Sequence, residues 1–113
     1  MNKKINNKII SEIKDRIKKS VSPEKIILFG SYAKGNADET SDIDVFIIKN
    51  ISKDQISTIK RKIRKEIRDI IIDNMIDIDV FVDSQERFDY RVDKINDQFY
   101  KDIQDKGKMI YAK

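Results

Sequence analysis

The sequence predicts an α+β (α/β) fold, a small mixed β-sheet flanked by helices in the order α-β-β-α-β-α. Isoleucines recur at three- and four-residue intervals over two long stretches, the pattern of amphipathic helices. Three short runs lie around them, Ile26 to Phe29, Asp42 to Ile48 and Ile76 to Val82, each too short for a helix and bordered by turn-forming residues. With 113 residues there is material for one hydrophobic core, so residues 1–113 are expected to form a single domain.

The first helix is expected over roughly Asn2 to Ser20, where Ile5, Ile9, Ile10, Ile13, Ile17 and Val21 make the apolar stripe. Ser22-Pro23-Glu24 breaks it. Ile26-Ile27-Leu28-Phe29 then reads as a buried strand that stops at Gly30. From Gly30 to Ser41 no apolar period exists, and Gly30, Gly35, Asn36 and Asp38 mark a loop with unusual backbone angles.

Asp42 to Ile48 is the second strand. Ser52 with Gln55 forms a capping box, and Ile56, Ile59, Ile63, Ile67, Ile70 and Ile71 carry the second helix from about Lys53 to Ile72. Asp73-Asn74 is a turn, and Ile76 to Val82 a third strand with alternating aspartates. After Asp83-Ser84, one helix is expected with Phe88, Val92, Ile95, Phe99 and Ile103 on its apolar face. Gly107 ends it, leaving Met109-Ile110-Tyr111 as an apolar tail.

Composition excludes several chemistries. There is no cysteine and no histidine, which removes disulfides, thiolate or imidazole metal ligands and a histidine base, and leaves carboxylates for acid/base and metal work. No run approaches the roughly 18 apolar residues of a membrane helix, and the N-terminus lacks a signal-peptide core, so a cytoplasmic protein without a membrane partner is expected. The 24 basic and 20 acidic residues nearly cancel to +4, weak support for a nucleic-acid partner. The basic run from Lys60 to Arg68 lies opposite the isoleucine stripe and is interrupted by Glu66, so a solvated face is the favoured reading.

Asp42 and Asp44 sit two apart on a strand, so their side chains leave the same face and repel unless a cation lies between them. Asp79, flanked by Ile78 and Val80, converges on the same point if its strand neighbours theirs. Three oxygen ligands favour a hard ion such as magnesium. Gly30-Ser31 ends the preceding strand where phosphate oxygens could approach the backbone, with the Ser31 hydroxyl as a donor. Asp77, two residues before Asp79, shares its face and is an alternative third ligand.

Gly30-Ser31, ten intervening residues, then Asp42-Ile43-Asp44 resembles the signature of the polymerase-beta-type nucleotidyltransferase superfamily, and its minimal branch above all. The likeness extends through Ile27 to Gly35, Ser41 to Val45, Ile78 to Val82 and the ending Lys106 to Tyr111. Lys34 stands where relatives often carry arginine.

The resemblance implies a nucleotidyltransferase fold in which Asp42 and Asp44 bind two magnesium ions. Asp79 binds the metal nearer the acceptor and takes its proton, while Gly30, Ser31 and Lys34 hold the triphosphate of ATP. It further implies an antitoxin that transfers AMP to a tyrosine of a partner HEPN ribonuclease toxin. A non-catalytic binding antitoxin and transfer to a nucleic-acid end are the alternatives. The acceptor, the preferred nucleotide and the oligomeric state stay open.

Overall fold

Ile9, Ile13, Ile17 and Val21 form the buried side of the first helix, α1 (Asn7–Val21), in the computed structural model, which describes residues 7–34 and 42–113. Ser22, with φ of 48°, turns the chain out of the helix. It leads into β1 (Lys25–Phe29). Gly30 has φ of 74°, a left-handed angle that favours glycine. A single helical turn, α2 (Ser31–Lys34), follows it where a loop was expected. Gly35, Asn36, Asp38, Glu39 and Ser41 lie outside the described residues, as do the side chains of Tyr32 and Lys34.

The chain continues as β2 (Ile43–Ile48) and a 3-10 turn (Lys53–Gln55), where the Ser52 N–H donates to Gln55 Oε1 at 3.1 Å. Next come α3 (Ile56–Asn74) and β3 (Ile78–Asp83). Met75, at φ of 54°, closes α3 in the left-handed conformation. The helix therefore runs through Asp73-Asn74, where the sequence suggested a turn. Ile63, Ile67 and Ile70 are its buried positions.

β1 pairs antiparallel with β2, and β2 pairs parallel with β3, so α3 is the crossover that parallel pairing demands. The sheet is mixed, as the sequence predicts. It also has a fourth strand. The Met109-Ile110-Tyr111 tail belongs to β4 (Lys108–Ala112), antiparallel to β1, giving the order β3-β2-β1-β4. Three consecutive apolar residues carry no period, so their pairing was invisible before the partner strand was known.

Alternation divides the sheet into two faces. Ile26, Leu28, Ile43, Val45, Ile47, Ile78, Val80 and Val82 point towards α1 and α3 and make the larger core. Ile27, Phe46 and Ile48 point the other way, against Phe88, Val92 and Ile103 of the C-terminal segment.

That segment is not one helix. It comprises α4 (Gln85–Tyr90), a π-helical turn (Arg91–Ile95) and α5 (Gln98–Lys106). Asn96 stops the first part at φ of 57°, and the Asp97 carboxylate caps the next by accepting from the Phe99 N–H at 3.0 Å. The break splits the expected apolar face: Phe88, Val92 and Ile103 are buried, whereas Ile95 and Phe99 are 50% and 42% exposed.

Asp83, at the end of β3, fastens this segment to the sheet. It is buried, and it accepts from the Ser84 N–H at 2.9 Å, from Arg87 Nε and from the Tyr100 hydroxyl at 3.1 Å. Arg87 also donates to the Ile51 carbonyl at 2.7 Å. Burial of Tyr100 and the neighbouring Asp83 charge push its hydroxyl pKa up to about 12.

Candidate active site

Parallel pairing of β2 with β3 sets Asp44 directly opposite Asp79. Because β-strand side chains alternate, both carboxylates stand on one face, the face that also carries Phe46 and Phe81 two residues further along each strand. Asp42 precedes Asp44 by two residues and shares that face. Asp77 lies at the entry to β3, where its carbonyl accepts from the Ile43 N–H at 3.0 Å.

The electrostatics follow this register. Burial, then the Asp79 charge and a hydrogen bond with its carboxyl, then the Asp42 charge raise the Asp44 pKa to about 6. Burial, then Asp79 and Asp77, raise that of Asp42. Asp44 is thus coupled to Asp79, while the effect of Asp77 falls on Asp42. The structure brings Asp42, Asp44 and Asp79 to one end of the sheet. Among the described residues, however, no three acidic side chains are already closed around a point that could hold an ion. Asp42 and Asp79 are exposed, whereas Asp44 is half-buried.

Gly30 lies against Asp44. A Cβ there would collide with Asp44 Oδ2, and the positive φ adds a second reason for glycine. Ser31 begins α2 directly after it. Lys34 closes that turn, its side chain lying outside what is described.

Beside Gly30 opens a cleft of about 130 Å³, lined by Phe29, Phe99, Asp102, Ile103 and Lys106. Phe29 and Phe99 meet edge to face with centroids 5.6 Å apart. Sequence reasoning placed Phe99 on a packing face. Only the break at Asn96-Asp97, a left-handed residue followed by a cap, could have signalled that α5 starts afresh and turns Phe99 towards the site.

The family model described as "Polymerase beta, Nucleotidyltransferase" matches residues 11–113. Over 93% of the chain it is 32% identical to "Putative protein adenylyltransferase MJ0604" of Methanocaldococcus jannaschii, covering 89% of that protein. A second protein of that organism, "Putative protein adenylyltransferase MJ1305", is 38% identical over 65% of the chain, a match spanning 48% of its own length. The fold resembles the crystal structure of a "putative nucleotidyltransferase" from Sulfolobus solfataricus, with a TM-score of 0.64, 19% identity and coverage of 94% of this chain and 79% of that one.

Proposed function

Because the chain belongs to the polymerase beta nucleotidyltransferase family, we propose that it is a minimal protein adenylyltransferase that moves AMP from ATP to a protein hydroxyl. The acceptor in this reading is a tyrosine of a partner HEPN toxin, so that transfer makes the chain an antitoxin. The observation that carries the chemistry is the in-register pair Asp44–Asp79, with Asp42 beside it and Gly30 wedged against Asp44. The names of the archaeal relatives support a protein acceptor; the toxin partner rests on the family resemblance.

The donor set suits a divalent metal. Asp42, Asp44 and Asp79 offer only oxygen ligands, and burial together with the neighbouring Asp79 and Asp42 charges already holds Asp44 well above the usual carboxylate range, a cost that a bound dication would relieve. Magnesium bound by them, two ions in this reading, would neutralise charge on the phosphates and on the entering and leaving oxygens.

The chain's own residues supply the rest. Gly30 lets triphosphate oxygens approach the backbone, Ser31 offers a hydroxyl donor, and Lys34 contributes positive charge. The cleft beside Gly30 receives the base, with Phe99 as its apolar wall. Asp79 takes the proton from the acceptor hydroxyl as that oxygen bonds to the α-phosphorus. The bond from the α-phosphorus to the bridging oxygen breaks, and pyrophosphate leaves with its electron pair. The pairing of Asp44 with Asp79, and not with Asp77, supports giving this role to Asp79.

The test incubates the protein with magnesium, ATP labelled on its α-phosphate and the helical partner encoded beside it. Label is expected on a partner tyrosine and is expected to be lost in the Asp42→Asn, Asp44→Asn variant. Full neutralisation of the partner by that variant, with no label transferred by the wild type, would overturn the enzymatic reading in favour of a binding antitoxin.

A further inference from the structure

The outer surface of α3 is charged in an ordered way. Lys60, Arg61, Arg64, Lys65 and Arg68, with Ser57, line a shallow groove of about 570 Å³. Their three- and four-residue spacing confines them to one sector of the helix. The acidic residues of α3 fall elsewhere: Asp69 faces α1, where its carboxylate holds Arg16 at 2.8 Å. Among the described residues none of these five cations pairs with a carboxylate. Continuing the spacing, the stripe ends on Ile72 and Met75, 64% and 78% exposed.

The stripe is also placed. Lys60 Nζ lies 6.0 Å from the centre of the Phe81 ring, and Phe81 belongs to β3, the edge strand that carries Asp79. Whatever binds along α3 therefore borders the strand of the proposed proton acceptor.

We propose that this stripe docks the acceptor of the transfer reaction, an acidic polypeptide segment with an apolar flank that seats on Ile72 and Met75; this rests on the transferase reading above. Charge complementarity selects an acidic partner. The apolar end selects polypeptide over nucleic acid. A single-stranded nucleic-acid track interleaves cations with aromatic rings that stack on bases, and no aromatic residue lies on this sector, whereas arginine and methionine are both enriched at protein interfaces. Holding the acidic part of the acceptor on α3 also keeps it from the site carboxylates, so that a neutral hydroxyl is what faces Asp79.

Fluorescence anisotropy with a labelled random copolymer of glutamate and tyrosine tests this, in the absence of nucleotide. The wild type is expected to bind it, more weakly as salt rises, and not to bind a lysine–tyrosine copolymer. The Arg61→Glu, Arg64→Glu, Arg68→Glu variant should lose affinity by about tenfold or more. An Ile72→Ser, Met75→Ser variant should lose about threefold. Replacing the same arginines by glutamine should repeat the loss if the reversal variant does not fold. Equal affinity in wild type and charge variants, or single-stranded RNA that binds more tightly than the acidic copolymer and is released by the same substitutions, overturns the proposal. Adding magnesium, labelled ATP and the helical partner encoded beside the protein separates it from the transferase reading. Binding without transfer to any tyrosine defeats that reading and leaves the docking surface standing, and transfer that ignores charge reversal defeats the docking surface alone.

Discussion

Gly30 and Asp44 form one steric unit: the carboxylate oxygen of Asp44 occupies the space that a Cβ on Gly30 would need. The glycine at the end of β1 thus sets where the carboxylate of β2 can stand. Gly30→Ala is expected to cost about 1–2 kcal/mol of stability from its left-handed φ. It should reduce transfer far more, by about a hundredfold, because it displaces Asp44. Thermal melts beside turnover assays separate the two effects, and a loss of activity no larger than the loss of folded protein would refute the coupling.

Asp79 is paired in register with Asp44, whereas Asp77 lies just before β3 and its charge acts on Asp42. Asp79→Asn should lower kcat by about a thousandfold or more, and Asp77→Asn by less than about threefold. Reversed magnitudes would transfer the proton-accepting role to Asp77.

Neutralising a crowded carboxylate removes repulsion. Asp44→Asn is expected to raise the melting temperature in chelator at neutral pH while abolishing transfer, since burial and the Asp79 and Asp42 charges both disfavour an ionised carboxylate at that position. Magnesium should raise the melting temperature of the wild type and leave that of the variant nearly unchanged. A variant less stable than wild type in chelator would contradict this account.

The Tyr100 hydroxyl gives an alkaline signature. Its pKa rises on folding from the ordinary 10 to about 12, so folding favours the protonated form. The stability this contributes is fully present below pH 10 and is lost as pH climbs through about 12. Melting temperature followed across that window should fall more steeply in wild type than in Tyr100→Phe, which cannot titrate.

Phe99 is the remaining test of the site. Phe99→Ala should raise KM for ATP about tenfold with kcat little changed, and should not alter binding of the acidic copolymer. An unchanged KM would remove the base from the cleft beside Gly30.

The sequence reveals what periodicity and alternation encode. Isoleucine at helical spacing located α1 and α3, because burial of one helical side imposes it. Asp42, Asp44 and Asp79 stood out because charges at every second position of an otherwise apolar strand define a face. The anchoring role of Asp83 was missed since nothing local to Asp83-Ser84 reveals that Arg87 and Tyr100 enclose the carboxylate. Phe99 was missed because a continuous apolar period ran across Asn96-Asp97 and outweighed the stop and cap written there. The α3 cations read as plain surface until their unpaired state and their position along β3 became visible.

The pairing of β2 with β3 is the only parallel one among the described residues, and all of α3 intervenes between its strands. Closing so long a connection is slow relative to forming a helix. On these timescales Asp44 and Asp79 are expected to meet after α3 has formed. A chain in which β2 and β3 have not paired holds these aspartates apart, so the candidate site forms only with that pairing.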